Sequence, residues 1–150
     1  MASKTLRFLS SSQVMMLHVM RIARATPLQP GLLKSAVLSP INTNSYDQQD
    51  DVFHLAAILS QKIMKNHAFR DGNKRTALIA ADVFLQMNGF HLRPAEPSTP
   101  EEGYQLTTAH VKVASNRMTV EELAEFYRET ATRAEECRKL SDKTSDSARE

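Results

Sequence analysis

The run Thr76-Ala-Leu-Ile-Ala-Ala-Asp-Val-Phe-Leu-Gln-Met87 constrains the fold more than any other feature of this chain. It is apolar on almost every side and ends in Asn88-Gly89, a helix-stop signal. A helix of that kind cannot lie on a surface, so the rest of the chain must surround it. With 150 residues, 41% of them hydrophobic, one domain suffices to bury it without staples.

The surrounding elements read as helices. Ser10 with Gln13 three residues later is a capping box, and Met16, Val19, Met20 and Ala23 recur behind it at helical spacing, predicting a helix over about 11–25. Pro30 opens a short second helix carrying Leu32, Leu33, Ala36 and Val37, expected to stop near Ser39-Pro40. The polar stretch Ile41 to Gln49 reads as a loop. Asp50 and Asp51 then precede the stripe Val52, Leu55, Ala56, Leu59 and Ile63, a third helix running to Asn66. After the central helix, Phe90 to Pro100 is irregular or briefly extended, Glu101 to Ser115 is helical, and Thr119 with Glu122 caps a last helix bearing Leu123, Ala124, Phe126 and Tyr127. No internal repeat exists, and no alternating stretch is long enough for a sheet. The expected fold is therefore all-α: one helical bundle around a buried central helix over residues 1–140, then a flexible charged tail at 141–150.

Composition narrows the partners. Nineteen basic residues are offset by 17 acidic ones, too small a surplus for a nucleic-acid surface. No apolar stretch has the length of a signal peptide or a membrane span. The single cysteine, Cys137, permits no internal disulfide and has no zinc-site spacing around it. A cytoplasmic protein that engages neither nucleic acid nor membrane is expected.

One placement is locally unfavourable. Asp71-Gly72-Asn73 is a helix-start signal, which puts Lys74 and Arg75 in the first turn of the central helix. That turn already carries partial positive charge, so each cation there costs roughly 0.3–1 kcal/mol. A phosphate would resolve the conflict, held by the amides of Gly72 to Lys74, the helix dipole and the two side chains. A solvated surface, or pairing of the cations with Asp71, is the competing reading. His67, six residues before Asn73, can fold back over the same helix end as a general base, since an imidazole with a reference pKa of ~6.5 is mostly neutral at pH 7. Asp71 offers one hard oxygen ligand suited to magnesium held mainly by nucleotide phosphates, or simply a helix cap. Phe69 reads as a core anchor for the loop.

The run His67-Ala-Phe-Arg-Asp-Gly-Asn-Lys-Arg75 resembles the Fic/Doc signature, H-x-F-x-D/N-G/A-N-G/K-R. The likeness extends into Thr76-Ala-Leu and Phe84-Leu-Gln-Met-Asn-Gly-Phe90, backward through Ala56-Ala57 and Lys65-Asn66, and to Pro30-Gly-Leu-Leu-Lys-Ser-Ala36, spanning roughly residues 6 to 130. The resemblance implies an all-α catalytic domain that uses ATP and Mg2+. In it His67 deprotonates a target hydroxyl and Asp71 holds the metal on the nucleotide phosphates. Gly72, Asn73 and Lys74 form an anion hole and Arg75 grips a phosphate. The family's target-aligning flap would correspond to Thr43, Asn44, Ser45 and Tyr46.

Lys74 divides the family. Nucleotidyl-transferring Fic proteins have glycine there, whereas the Doc (death-on-curing) branch has lysine and is similar in moving the terminal phosphate to a translation elongation factor. A lysine fills or neutralises the pocket for an α-phosphate, so the nucleotide would present its γ-phosphate instead. The second arginine of nucleotidylating members is replaced by Leu78. The reading is thus a Doc-type phosphotransferase acting on a protein hydroxyl, a toxin with an antitoxin-like inhibitor as a further implied partner. Its alternatives are a Fic-type adenylyltransferase (AMPylation) and a weakly active phosphate-binding interaction module. A histidine-based metal phosphohydrolase is disfavoured because His18, His54, His91 and His110 share no ligand motif.

Some departures stand out. Leu28-Gln29 replaces the Arg-Asp common before the second helix of Doc-like chains, and Ala68 replaces a frequent proline. Ser98 to Gly103 matches the pattern of an inhibitory helix, but Pro100 inside it and Leu78 in place of the paired arginine argue against that role.

Overall fold

The computed structural model describes residues 5–22, 27–92, 110–113 and 115–133, residues 132 and 133 by backbone alone. Five helices dominate these residues: α1 (Ser11–Arg21), α2 (Pro30–Tyr46), α3 (Val52–Asn66), α4 (Asn73–Met87) and α5 (Val120–Thr130). The tail expected at 141–150, the segment Ser98 to Gly103 and Cys137 lie outside the described residues.

α1 begins at the predicted capping box: the Gln13 amide donates to the Ser10 hydroxyl at 3.2 Å, and the Ser10 amide donates to the Gln13 side chain at 2.9 Å. Its inner face is not the expected one. Val14 and His18 are buried, whereas Met16, Val19 and Met20 are exposed at 62%, 40% and 72%. α1 packs chiefly on α4, which covers only a narrow stripe, and the methionines fall outside it.

α2 corrects the sequence reading. It starts at Pro30 as expected but passes straight through Pro40 and ends at Tyr46, so residues 41–46 are helical and not loop. Proline removes one intrahelical donor, yet Val37 and Pro40 are buried in the packing of α2 on α3, and that contact outweighs the lost bond. Ser39 Oγ donates to the Ser35 carbonyl and Thr43 Oγ1 to the Ser39 carbonyl, satisfying acceptors around the proline. At the far end Asn44 Nδ2 donates to the Gln49 carbonyl at 2.8 Å, closing the short turn to α3.

α3 holds the centre, packing against α2, α4 and α5. Asp51 caps it, accepting from the Phe53 amide at 3.0 Å, and the whole predicted stripe from Val52 to Ile63 is buried. α4 packs on α3 and α1 and buries Thr76, Ala77, Ala80, Ala81, Phe84 and Leu85. The all-α expectation holds apart from one small antiparallel pairing of β1 (Phe90–Leu92) with β2 (Ala131–Arg133), in register Phe90↔Arg133 and Leu92↔Ala131. Three residues per strand are too few to leave an alternating signal in the sequence. The Thr119–Glu122 capping box opens α5 as predicted. No described helix is long and apolar enough to cross a membrane.

Candidate functional site

α3 ends at Asn66 and α4 begins at Asn73, and the six residues between them carry the motif. His67 is the C-cap of α3 in the left-handed conformation, φ 48° and ψ 47°, and is exposed. Glycine usually fills this position, and a side chain there stores on the order of 1 kcal/mol. Strain of this sort marks functional positions. Ala68 and Phe69 then turn inward and are 1% and 2% exposed, so Phe69 is the anchor its sequence context implies.

The loop is locked to the helix it precedes. Asn73 Oδ1 accepts from the Phe69 amide at 3.1 Å, and Asn73 Nδ2 donates to the Phe69 carbonyl at 2.8 Å. The Asn73 side chain is thereby tied to the loop through both of its polar atoms, and its backbone amide is left for an anion. Gly72 is the N-cap of α4 at φ 76°. A Cβ on it would stand 2.6 Å from Ile22 Cγ2, so glycine is required by both backbone and space.

The α4 N-terminus has the features of an anion site. No side chain caps it and no acidic residue lies in its first turn. Among the described residues, the amides of Asn73, Lys74 and Arg75 have no hydrogen-bond partner, and the exposed side chains of Asp71, Lys74 and Arg75 make no hydrogen bond or ion pair. The sequence left open whether Asp71 merely capped the helix or paired with the two cations. It does neither. Its exposed carboxylate fits a single hard ligand for a divalent cation, and no group of three or more His, Cys, Asp or Glu able to hold a metal exists among the described residues. A cation here would take its remaining oxygens from phosphate and water. Leu78 packs against the core, away from any role of an arginine.

The proposed flap is not at this site. The Gln29 amide donates to the Ala68 carbonyl at 3.2 Å and Asn66 Nδ2 to the Leu32 carbonyl at 3.0 Å, so α2 starts where α3 ends. The two helices run antiparallel. Thr43, Asn44, Ser45 and Tyr46 therefore sit at the opposite end of the 15-residue α3, roughly 20 Å from His67 at ~1.5 Å per residue, and are helical. No extended segment is available there for strand addition. The first contact also shows that Gln29, which replaces a charged residue, still ties the second helix to the motif through its backbone.

The sequence reading missed His18. It is 1% exposed, stacks on Phe69 with ring centroids 3.8 Å apart at 13°, and places Nδ1 2.8 Å from Thr76 Oγ1. Burial, and then the nearby Arg75 charge, lower its pKa. Val14, His18 and Ile22 recur every four residues, a periodicity hidden by the more apolar Met16, Val19 and Met20.

The pattern of the Fic/DOC family matches residues 8–85, more than half of the chain. The chain belongs to this family. It is 46% identical over 63 residues to Toxin Doc of Mycolicibacterium smegmatis, an alignment covering 41% of this chain and 48% of that protein. This chain thus spans about half the length of that relative. It is also 28% identical over 123 residues to Protein kinase doc of Escherichia phage P1, covering 79% of this chain and 96% of that one.

Proposed function

We propose that this chain is a Doc-type phosphotransferase that moves the terminal phosphate of ATP to a hydroxyl of a protein. The observation that carries the reading is Lys74, exposed without an ion pair among the described residues, in the uncapped first turn of α4. A cation in that position is unfavourable for the helix alone and favourable once an anion is bound. The likeness to two relatives named as a toxin and a protein kinase points the same way.

In this reading the amides of Gly72 to Lys74 and the Lys74 and Arg75 side chains bind the phosphates. Asp71 would hold a magnesium ion, which when bound neutralises phosphate charge. His67, poised at the end of α3, takes the proton of the target hydroxyl as its oxygen bonds to the γ-phosphorus. The bond from that phosphorus to the bridging oxygen breaks, and ADP leaves. The resemblance of the motif implies a translation factor as the target class, and the likeness to a protein named as a toxin supports an antitoxin-like restraining partner.

The test is to incubate the protein with ATP and magnesium in host lysate. Label should reach a protein from the γ-position and not from the α-position, and Lys74→Gly should weaken that reaction. Label arriving from the α-position would overturn the reading in favour of adenylyl transfer.

A further inference from the structure

The motif leans on an element outside itself, the C-terminal half of α1. Its His18 ring stacks on Phe69, and its Ile22 methyl fills the space beside Gly72. His18 also faces the hydroxyl of Thr76, one turn into α4. That hydroxyl has a single proton, and it is donated to the Gly72 carbonyl at 2.8 Å. Its oxygen can therefore only accept from His18, which requires the ring proton to sit on Nδ1.

We propose that His18 is a positioning residue for the phosphate-binding turn, donating from Nδ1 to Thr76 so that the Thr76 hydroxyl is held on the Gly72 carbonyl while the ring face holds Phe69. The inference rests on the phosphate-binding role given to this turn above. His18 touches Phe69, which Asn73 grips through both of its backbone groups, and Thr76, which bonds Gly72 through both hydroxyl and amide. One buried ring thus reaches both ends of the turn that carries Asp71, Gly72 and Asn73. Burial and the Arg75 charge keep the ring neutral, which leaves it the one donor that the geometry needs. The Gly72 carbonyl retains its 2.9 Å bond from the Thr76 amide if His18 is lost, so the turn should loosen without unfolding.

Three variants separate the contributions. His18→Phe keeps the stacked ring and removes the donor; His18→Asn offers an amide donor near the place of Nδ1 and removes the ring; Thr76→Val removes the hydroxyl. The primary readouts are nitrogen NMR of the His18 ring and amide hydrogen exchange, neither of which needs activity. The expected results are a protonated Nδ1 in the unmodified protein and exchange at the Thr76 and Phe69 amides faster by roughly tenfold in His18→Phe and Thr76→Val, with Leu59 and Ala80 unchanged. The double variant should exchange no faster than either single one, because both break the same path. His18→Asn should recover part of the Thr76 protection. ADP affinity by calorimetry should fall in His18→Phe by a similar factor. A proton on Nε2, additive effects in the double variant, or uniform acceleration across the core would overturn the positioning role. An unmodified protein that transfers no phosphate while keeping this exchange pattern would overturn the phosphotransferase reading and support the positioning of the turn.

Discussion

The Asn73 side chain holds Phe69 by both of its backbone groups, accepting from the amide at 3.1 Å and donating to the carbonyl at 2.8 Å. The Phe69 ring is fixed in the core, so this pair sets where Arg70, Asp71 and Gly72 emerge. An asparagine at the start of a helix is thereby a clasp for the loop before it, and the amide ends of α4 are left free for another ligand.

Asn73→Asp tests the clasp. It loses the donor and sets a carboxylate against the Phe69 carbonyl, so the unfolding free energy in urea should fall by about 1–3 kcal/mol. A change within ~0.5 kcal/mol, typical of an unconstrained surface site, would show that the pair does not hold the loop.

Gly72→Ala combines a left-handed φ with a clash on Ile22 Cγ2. The backbone component alone costs about 1–2 kcal/mol. In the Ile22→Ala background the steric component should vanish and the backbone component should persist, so denaturant midpoints of the two single variants and the double variant should be non-additive.

His67→Gly should produce a more stable and inactive protein. Glycine removes the left-handed strain at the α3 C-cap, worth on the order of 1 kcal/mol. The same change deletes the proposed general base, for which a loss of roughly 10²–10⁴-fold in transfer is expected with ATP affinity by calorimetry largely kept. Unchanged transfer would remove His67 from the mechanism.

Acid should destabilise the fold through His110, which is 2% exposed. Its Nε2 pairs with the Tyr127 hydroxyl, which also bonds Ser60 Oγ at 2.7 Å. Burial lowers its pKa from 6.5 to about 4, against an opposing pull from the Lys74 backbone. Above the unfolded value both states are neutral and stability is independent of this group. As pH falls through 6.5 the unfolded chain gains a proton that the folded chain refuses, and stability drops until pH about 4, by roughly 3 kcal/mol in all. His18, also lowered, adds a slope of the same sign. Urea midpoints measured across this range should fall towards acid in the unmodified protein and less steeply in His110→Gln.

The sequence by itself determined the helices whose signals are local. The Ser10, Asp51 and Thr119 caps, the Pro30 start, the apolar stripe of α3 and the Asn88-Gly89 stop each depend on residues within a turn of one another, and each was legible. The motif was legible for a related reason: Lys74 and Arg75 break the dipole rule within one helical turn, and that conflict is visible without any fold. Tertiary structure decided the rest. Pro40 is a helix breaker by propensity, and only burial against α3 carries α2 through it to Tyr46, moving the expected flap into a helix at the wrong end of the pair. Met16, Val19 and Met20 are more apolar than His18, yet His18 is inside, because Phe69 and Thr76 provide a stacking face and a hydrogen-bond partner 51 and 58 residues further along the chain. A buried polar group is stable only with its partner in place, and that partner is chosen by packing between helices, where no local pattern records it.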